Sequence, residues 1–141
     1  AVDGKQLLLL LIKNPAGANE AVRTLVEGRP PRVAVIALND AIADGRDVSW
    51  IWDVDFEPLL PGLERLVVSG SRAGELALRF AYGGLDAARI DVVPELGAAL
   101  DRGLELAEDE LVVLPTYTAM LGLQRIVVER GLAKPYWERA A

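Results

Sequence analysis

Residues 6–12 read Gln-Leu-Leu-Leu-Leu-Leu-Ile, an apolar run without the polar alternation of a half-buried strand. Such a run is typical of a strand in a parallel sheet that is covered on both faces. The sequence therefore predicts that Gln6–Ile12 forms the first central strand of a parallel sheet. Ala1–Lys5 lead directly into this strand and are interpreted as the end of a preceding segment.

Apolar stretches and helical patterns alternate along the rest of the chain, and no two-residue hairpin turn separates them. This alternation predicts one domain, residues 1–141, with the Rossmann-like three-layer α/β fold and a mostly parallel sheet. On the second helix the pattern places Arg79 on the outward face. Further strands are predicted at Arg32–Leu38, Leu63–Ser69, Ile90–Val93 and Glu110–Leu114, and helices at Asn19–Glu27, Arg72–Tyr82, Glu95–Ala107 and Tyr117–Arg130, the last capped by Thr116 and ended by Gly131.

Composition excludes several classes of protein. The net charge of −6 has the wrong sign for binding nucleic acid through its phosphates. Because the chain has no Cys and no His, it cannot by itself form a disulfide, a Cys/His zinc site or a Ser-His-Asp triad, and we expect no metal site. The longest apolar run, Leu7–Ile12, is far shorter than the roughly 20 residues of a membrane helix, so we expect a cytoplasmic protein with no transmembrane segment.

Polar loops follow the predicted strands at their carboxyl ends, where open α/β sheets bind ligands. No phosphate-binding glycine motif is present, so an autonomous ATPase is not expected. The candidate substrate-binding residues in these loops are Asn14, Asn19, Ser71, Arg72 and Thr116. In the alternative interpretation each loop is an ordinary turn, with Ser71 as a helix cap and Arg72 in solvent.

Residues 48–57 alternate strictly between two sets of side chains, which predicts an extended segment with one acidic face. Asp53 is the first candidate for a functional carboxylate, because Trp50 and Trp52 would hold it rigidly, and Asp47 is the second. A fixed carboxylate can orient an imidazole, which another protein would have to supply. Asp44, the third candidate, precedes a glycine in a turn, and a solvated acidic face remains the alternative for all three.

Several of these stretches together resemble a known family. They are Asn14–Asn19 (NPAGAN), Leu38–Asp40 (LND), Ala43–Asp53 (ADGRDVSWIWD), Ser69–Ala73 (SGSRA) and Leu114–Met120 (LPTYTAM). From about Leu8 to about Gly131 the chain is similar to the C-terminal domain of the MurT family, the Mur-ligase-like subunits of lipid II isoglutaminyl synthases. MurT-like proteins also have an N-terminal substrate-binding part and a central ATP-binding domain, and we expect neither of them within residues 1–141.

The resemblance implies a Mur ligase C-terminal fold and a division of labour between two proteins. MurT-like ligases use ATP and Mg²⁺ to activate the D-glutamate α-carboxylate of lipid II as an acyl phosphate, which ammonia then displaces. The ammonia comes from a partner glutaminase, GatD, which has a Cys and a His and takes an Asp from this domain of MurT. We expect the isolated domain to be inactive as a ligase and to bind no cofactor, with the loops at 14–19 and 69–72 serving the ligase reaction.

Two other functions remain open on the sequence alone. One is a non-catalytic module that docks a partner or closes on a ligand. The other is an independent small-molecule-binding Rossmann-like domain.

Overall fold

A computed structural model describes residues 4–131 and confirms the predicted α/β architecture. Five strands form one sheet in the order β1-β5-β2-β3-β4, and every neighbouring pair is parallel. The strands are β1 (Gln6–Leu9), β2 (Val33–Ala37), β3 (Arg65–Ser69), β4 (Ile90–Val92) and β5 (Glu110–Pro115). Because all strands are parallel, their carboxyl ends lie along one edge of the sheet, as the sequence predicts.

The position predicted for the first strand is wrong, because β1 lies at an edge of the sheet and pairs with β5 alone. Beyond the regular strand the chain stays extended, and the Leu10 and Ile12 amides donate to the carbonyls of Val113 and Pro115, both at 3.0 Å. An apolar run indicates that a segment is buried, but it does not indicate the position of the strand in the sheet. That position depends on the crossover connections between strands. In β1, Leu7 and Leu9 are half-buried, whereas Leu8 is exposed.

Four α-helices cover the two faces of the sheet: α1 (Pro15–Glu27), α2 (Ala73–Tyr82), α3 (Leu96–Leu106) and α4 (Tyr117–Glu129). Side chains of β2 alternate between two cores, with Ala34 and Ile36 packed toward α1 and α2, and Val33 and Val35 toward α3 and α4. No helix among residues 4–131 is both long and apolar enough to span a membrane.

The first polar loop is shorter than predicted, because α1 begins at Pro15 rather than near Asn19. The Asn14 side chain accepts a hydrogen bond from the Gly17 amide at 2.8 Å and caps the helix. Proline is favoured at the first helical position, because its fixed φ fits and its missing N–H is not needed there. Asn19 is therefore a helical residue.

The segment that connects β2 to β3, residues 38–64, is also different from the prediction. It forms three short 3₁₀ helices, Ile42–Asp44, Ser49–Asp53 and Glu57–Gly62, in place of an extended stretch. Val48, Ile51 and Val54 are buried at intervals of three, which matches a helix with three residues per turn. Ile51, which the alternating pattern places among the acids, is fully buried, while Trp52 is 38% exposed.

Candidate functional site

The loops after β2, β3 and β5 meet at the carboxyl edge of the sheet, and Asn39 joins them. The backbone amide of Asn39 donates to Thr116 Oγ1 and its side-chain Nδ2 donates to Thr118 Oγ1, both at 3.0 Å. Its Oδ1 accepts the Ser71 amide at 2.9 Å. One residue thus joins three loops. Thr116 occupies the N-cap position of α4 as predicted, but its hydroxyl accepts from the Asn39 backbone and makes no capping hydrogen bond to the helix.

Gly70 allows the loops after β2 and β3 to approach so closely. Its φ of +92° lies in the left-handed region that favours glycine. A Cβ at this position would lie 2.4 Å from the Leu38 carbonyl oxygen and 2.7 Å from Asn39 Oδ1. The Arg72 amide donates to the same Leu38 oxygen at 2.9 Å, so the turn is packed directly against the end of β2.

A charged group extends this network toward solvent. Ser71 Oγ donates to Asp40 Oδ1 at 3.0 Å, and Arg72 holds Asp40 at 3.3 Å and Glu75 at 3.0 Å through its two terminal nitrogens. The Ser71 hydrogen bond, with help from Arg72, lowers the pKa of Asp40 below its usual value. Hydrogen bonds to Glu75 and Asp40 raise the pKa of Arg72. Arg72 occupies the cap position of α2 that the alternative interpretation gave to Ser71.

Asp44 is bound to the amino end of α4. Its carboxylate accepts the Thr118 amide at 2.8 Å and the Thr118 hydroxyl, and also the Ala41 amide at 3.2 Å. Amides at a helix start lack partners within the helix, so Asp44 acts as a cap from another part of the chain. This gives Asp44 a structural role beyond the turn expected from its glycine neighbour.

Arg79 is buried against the β2–β3 connection, so its predicted outward position is wrong. Its Nε donates to the Ile51 carbonyl at 3.1 Å and its Nη2 to the Val54 carbonyl at 2.7 Å. Its two terminal nitrogens hold Glu57 at 2.9 and 2.8 Å. Helical periodicity treats an arginine as a surface residue, but here the guanidinium is buried because two backbone carbonyls and a carboxylate accept its hydrogen bonds. This ion pair lowers the pKa of Glu57.

The two candidate catalytic carboxylates lie at opposite ends of the Ser49–Asp53 helix. Asp47 precedes the helix and accepts the Ser49 amide at 2.9 Å, a hydrogen bond that lowers its pKa. Asp53 is the last residue of the helix and is exposed. Within residues 4–131 the Asp53 carboxylate accepts no hydrogen bond, so it remains available to a donor from another molecule.

The remaining predicted residues lie apart from the Asn39 network. Asn14 caps α1, and Asn19 accepts the Asp55 amide at 2.8 Å, which ties α1 to the β2–β3 connection. Asn19 also lines a shallow cleft of about 390 Å³ beside Val22 and Pro58. Ser71, Arg72 and Thr116 are therefore brought together, whereas Asn14 and Asn19 are not joined to them.

Three residues of the network were not among the candidates: Asn39, Asp40 and Thr118. Asn39 and Asp40 directly follow the buried run of β2, and that position was a usable signal for the sheet edge. Thr118 lies in the polar stretch after the last predicted strand, but only the fold shows that it faces Asp44.

These features define a Rossmann-like α/β domain in which the loops after the three inner strands meet at the carboxyl ends of the strands. The family model described as MurT ligase C-terminal matches residues 11–120, and the chain belongs to this family. Its fold is accordingly that of a Mur ligase C-terminal domain.

Curated relatives with similar sequences share one name, lipid II isoglutaminyl synthase (glutamine-hydrolyzing) subunit MurT. The chain is 32% identical over 134 residues to the protein of Streptococcus pneumoniae, covering 94% of this chain and 30% of that protein. It is 36% identical over 123 residues to the protein of Staphylococcus aureus (strain COL), covering 84% and 27%. The chain thus spans less than a third of the length of the relatives it matches.

Proposed function

We propose that this domain belongs to the ligase subunit of a lipid II isoglutaminyl synthase, where it docks a GatD-type glutaminase and supplies Asp53 to its Cys-His site. The whole enzyme would amidate the D-glutamate α-carboxylate of the peptidoglycan precursor on the cytoplasmic side, with ATP, Mg²⁺ and ammonia from glutamine. Family membership and the name of the relatives support the enzyme class. The observation that carries the role of Asp53 is an exposed carboxylate that has no hydrogen-bond partner among residues 4–131 and stands at the end of a helix held by Arg79.

Asp53 has the chemistry that a Cys-His pair needs. A carboxylate accepts the imidazole N–H that faces away from the cysteine, fixes the tautomer, and stabilises the imidazolium that accompanies the thiolate. Because the chain has no His and no Cys, both of these residues must come from the partner. Asp47 is the second choice, because one of its oxygens already accepts the Ser49 amide.

An exposed apolar surface beside Asp53 supports docking of the partner. Trp52 and Tyr82 meet edge to face with their ring centres 5.5 Å apart, and Tyr82 is 81% exposed. Leu78 lies one turn before Tyr82 on α2 and is 59% exposed. Clustered exposed aromatic residues are typical of the centres of protein interfaces.

We assign Ser71 and Arg72 to the ligase reaction, at the edge that would face the N-terminal substrate-binding and central ATP-binding domains. Arg72 is partly exposed and balanced by Asp40 and Glu75, so it can exchange one carboxylate for an anionic substrate group. ATP and Mg²⁺ are assigned to the rest of the subunit, because the family resemblance implies that they bind mainly in the central domain. In the full-length subunit, Arg72→Ala should depress amidation of lipid II while glutamine hydrolysis persists. Equal loss of both activities would contradict this separation.

Mixing the subunit with a GatD-type glutaminase tests the proposal as a whole, with glutamine hydrolysis as the measurement. We expect the rate to rise when the subunit is added and to saturate as the complex forms. Binding without any change in rate would favour the alternative of a docking module. Retention of a small ligand by the domain, with no binding of the glutaminase, would favour an independent ligand-binding domain.

A further inference from the structure

The Arg79 guanidinium holds the backbone on both sides of Asp53. It donates to the carbonyl of Ile51, two residues before Asp53, and to that of Val54, the next residue. Each of the three guanidinium nitrogens has an acceptor, because the Glu57 carboxylate accepts from both Nη1 and Nη2. The group also lies 5.5 Å from the ring centre of Phe56 and 5.8 Å from that of Trp52, so it is packed as well as hydrogen-bonded.

The helix that ends at Asp53 needs this support. Short 3₁₀ helices have poor hydrogen-bond geometry, and two bonds of this helix are long: Ile51 N to Val48 O at 3.2 Å and Val54 N to Ile51 O at 3.4 Å. The contact from Arg79 to Val54 is much shorter, at 2.7 Å. The direction of the backbone at residue 53 is therefore fixed by α2 through Arg79 more than by the helix itself.

We propose that Arg79 is a positioning residue that sets the direction of the Asp53 carboxylate toward the partner's imidazole. The inference rests on the proposed function, because it gives Arg79 no contact with glutamine or with the reacting atoms. The planar fork of arginine is required, since a lysine ammonium cannot reach two carbonyls and a carboxylate in the same geometry. Arg79→Lys keeps the charge and removes the fork.

The test uses the full-length subunit in complex with the glutaminase, assayed below the unfolding temperature of every variant. Misplacing a catalytic group by about 1 Å can cost about 10²-fold. We therefore expect Arg79→Lys to lower kcat for glutamine hydrolysis at least about tenfold, with KM and partner affinity changed less than about twofold. Arg65→Lys is the matched control, because the Arg65 guanidinium binds Asp91 of β4 and not the β2–β3 connection, so this change should leave kcat unchanged.

Coupling to Asp53 separates positioning from a general structural effect. If Arg79 acts through Asp53, Arg79→Lys should cause no further loss in an Asp53→Asn background. Glu57→Gln removes the charge partner of Arg79 at a half-exposed site and should reproduce a smaller loss of kcat with the same dependence on Asp53, even if Arg79→Lys does not fold.

The outcomes distinguish this inference from the proposed function. Wild-type kcat in Arg79→Lys, or an equal loss with and without Asp53, overturns the positioning role while Asp53→Asn remains impaired. Wild-type kcat in Asp53→Asn overturns the proposed function and this inference with it.

Discussion

The junction of the loops at the sheet edge depends on Gly70, and Gly70→Ala measures that dependence. An alanine at a φ of +92° costs about 1–3 kcal/mol of backbone strain. Its Cβ would also lie 2.4 Å from a backbone oxygen that cannot move without shifting the end of β2. Overpacking of this kind adds about 1–3 kcal/mol, so we expect a total near 4 kcal/mol. At about 3 °C for each kcal/mol, the unfolding temperature should fall by about 12 °C.

Gly45→Ala is the matched control for this experiment. Gly45 has the same φ of +92°, but a Cβ there meets no atom within 4 Å. The Gly45→Ala variant should lose only the free energy of backbone strain, about 2 kcal/mol, which lowers the unfolding temperature by about 6 °C. Thermal unfolding followed by circular dichroism measures both variants. If the two unfold at the same temperature, the close packing of Gly70 against Leu38 and Asn39 does not stabilise the domain and the reasoning is wrong.

Three further predictions concern stability and ligand binding. Asp44→Ala should lower the free energy of unfolding by about 1–2 kcal/mol, because it removes the cap of α4, and an unchanged denaturant midpoint would refute that role. Arg79 lowers the pKa of Glu57, so this pair stabilises the fold above the ordinary glutamate value of about 4.3 and is lost as the pH falls through the lower folded value. Glu57→Gln should therefore be less stable than wild type at pH 7, with the gap closing in acid; a constant gap would contradict the assignment. Calorimetry with Mg-ATP should show weak or no binding to the isolated domain, and a low-micromolar Kd would count against placing ATP in the rest of the subunit.

The sequence predicted the elements of the fold better than their arrangement. The apolar runs at 33–37 and 110–115 are strands, as predicted, because their apolar composition indicates a buried position in a sheet. The position of β1 as an outer strand cannot be predicted from composition, since it depends on how the crossover connections order the strands. A parallel sheet did place the polar loops on one edge, and that part of the candidate site was predictable from the alternation of elements.

The β2–β3 connection shows why the rest could not be predicted. Residues 48–57 fit a period of two in their sequence, yet from Val48 to Val54 the chain buries every third residue. Arg79 on α2 stabilises this arrangement by donating to the carbonyls of Ile51 and Val54. No local pattern reports a contact between residues 25 positions apart. Asp53 was chosen for a packing reason that the structure does not support, since Trp52 is exposed. Its exposure, and the absence of a hydrogen-bond partner for it in the described part of the chain, are different grounds for the same choice.

The most direct test of the central claim is the turnover of glutamine by the complex that carries Asp53→Asn. Replacing the orienting Asp of a serine-protease triad by Asn costs about 10⁴-fold in kcat. We predict a loss of at least about 10²-fold here, with partner affinity and unfolding temperature unchanged, because the exposed Asp53 side chain is not used by the fold. Wild-type turnover in Asp53→Asn with turnover abolished in Asp47→Asn would move the role to Asp47. Wild-type turnover in both variants would contradict the supply of a carboxylate by this domain.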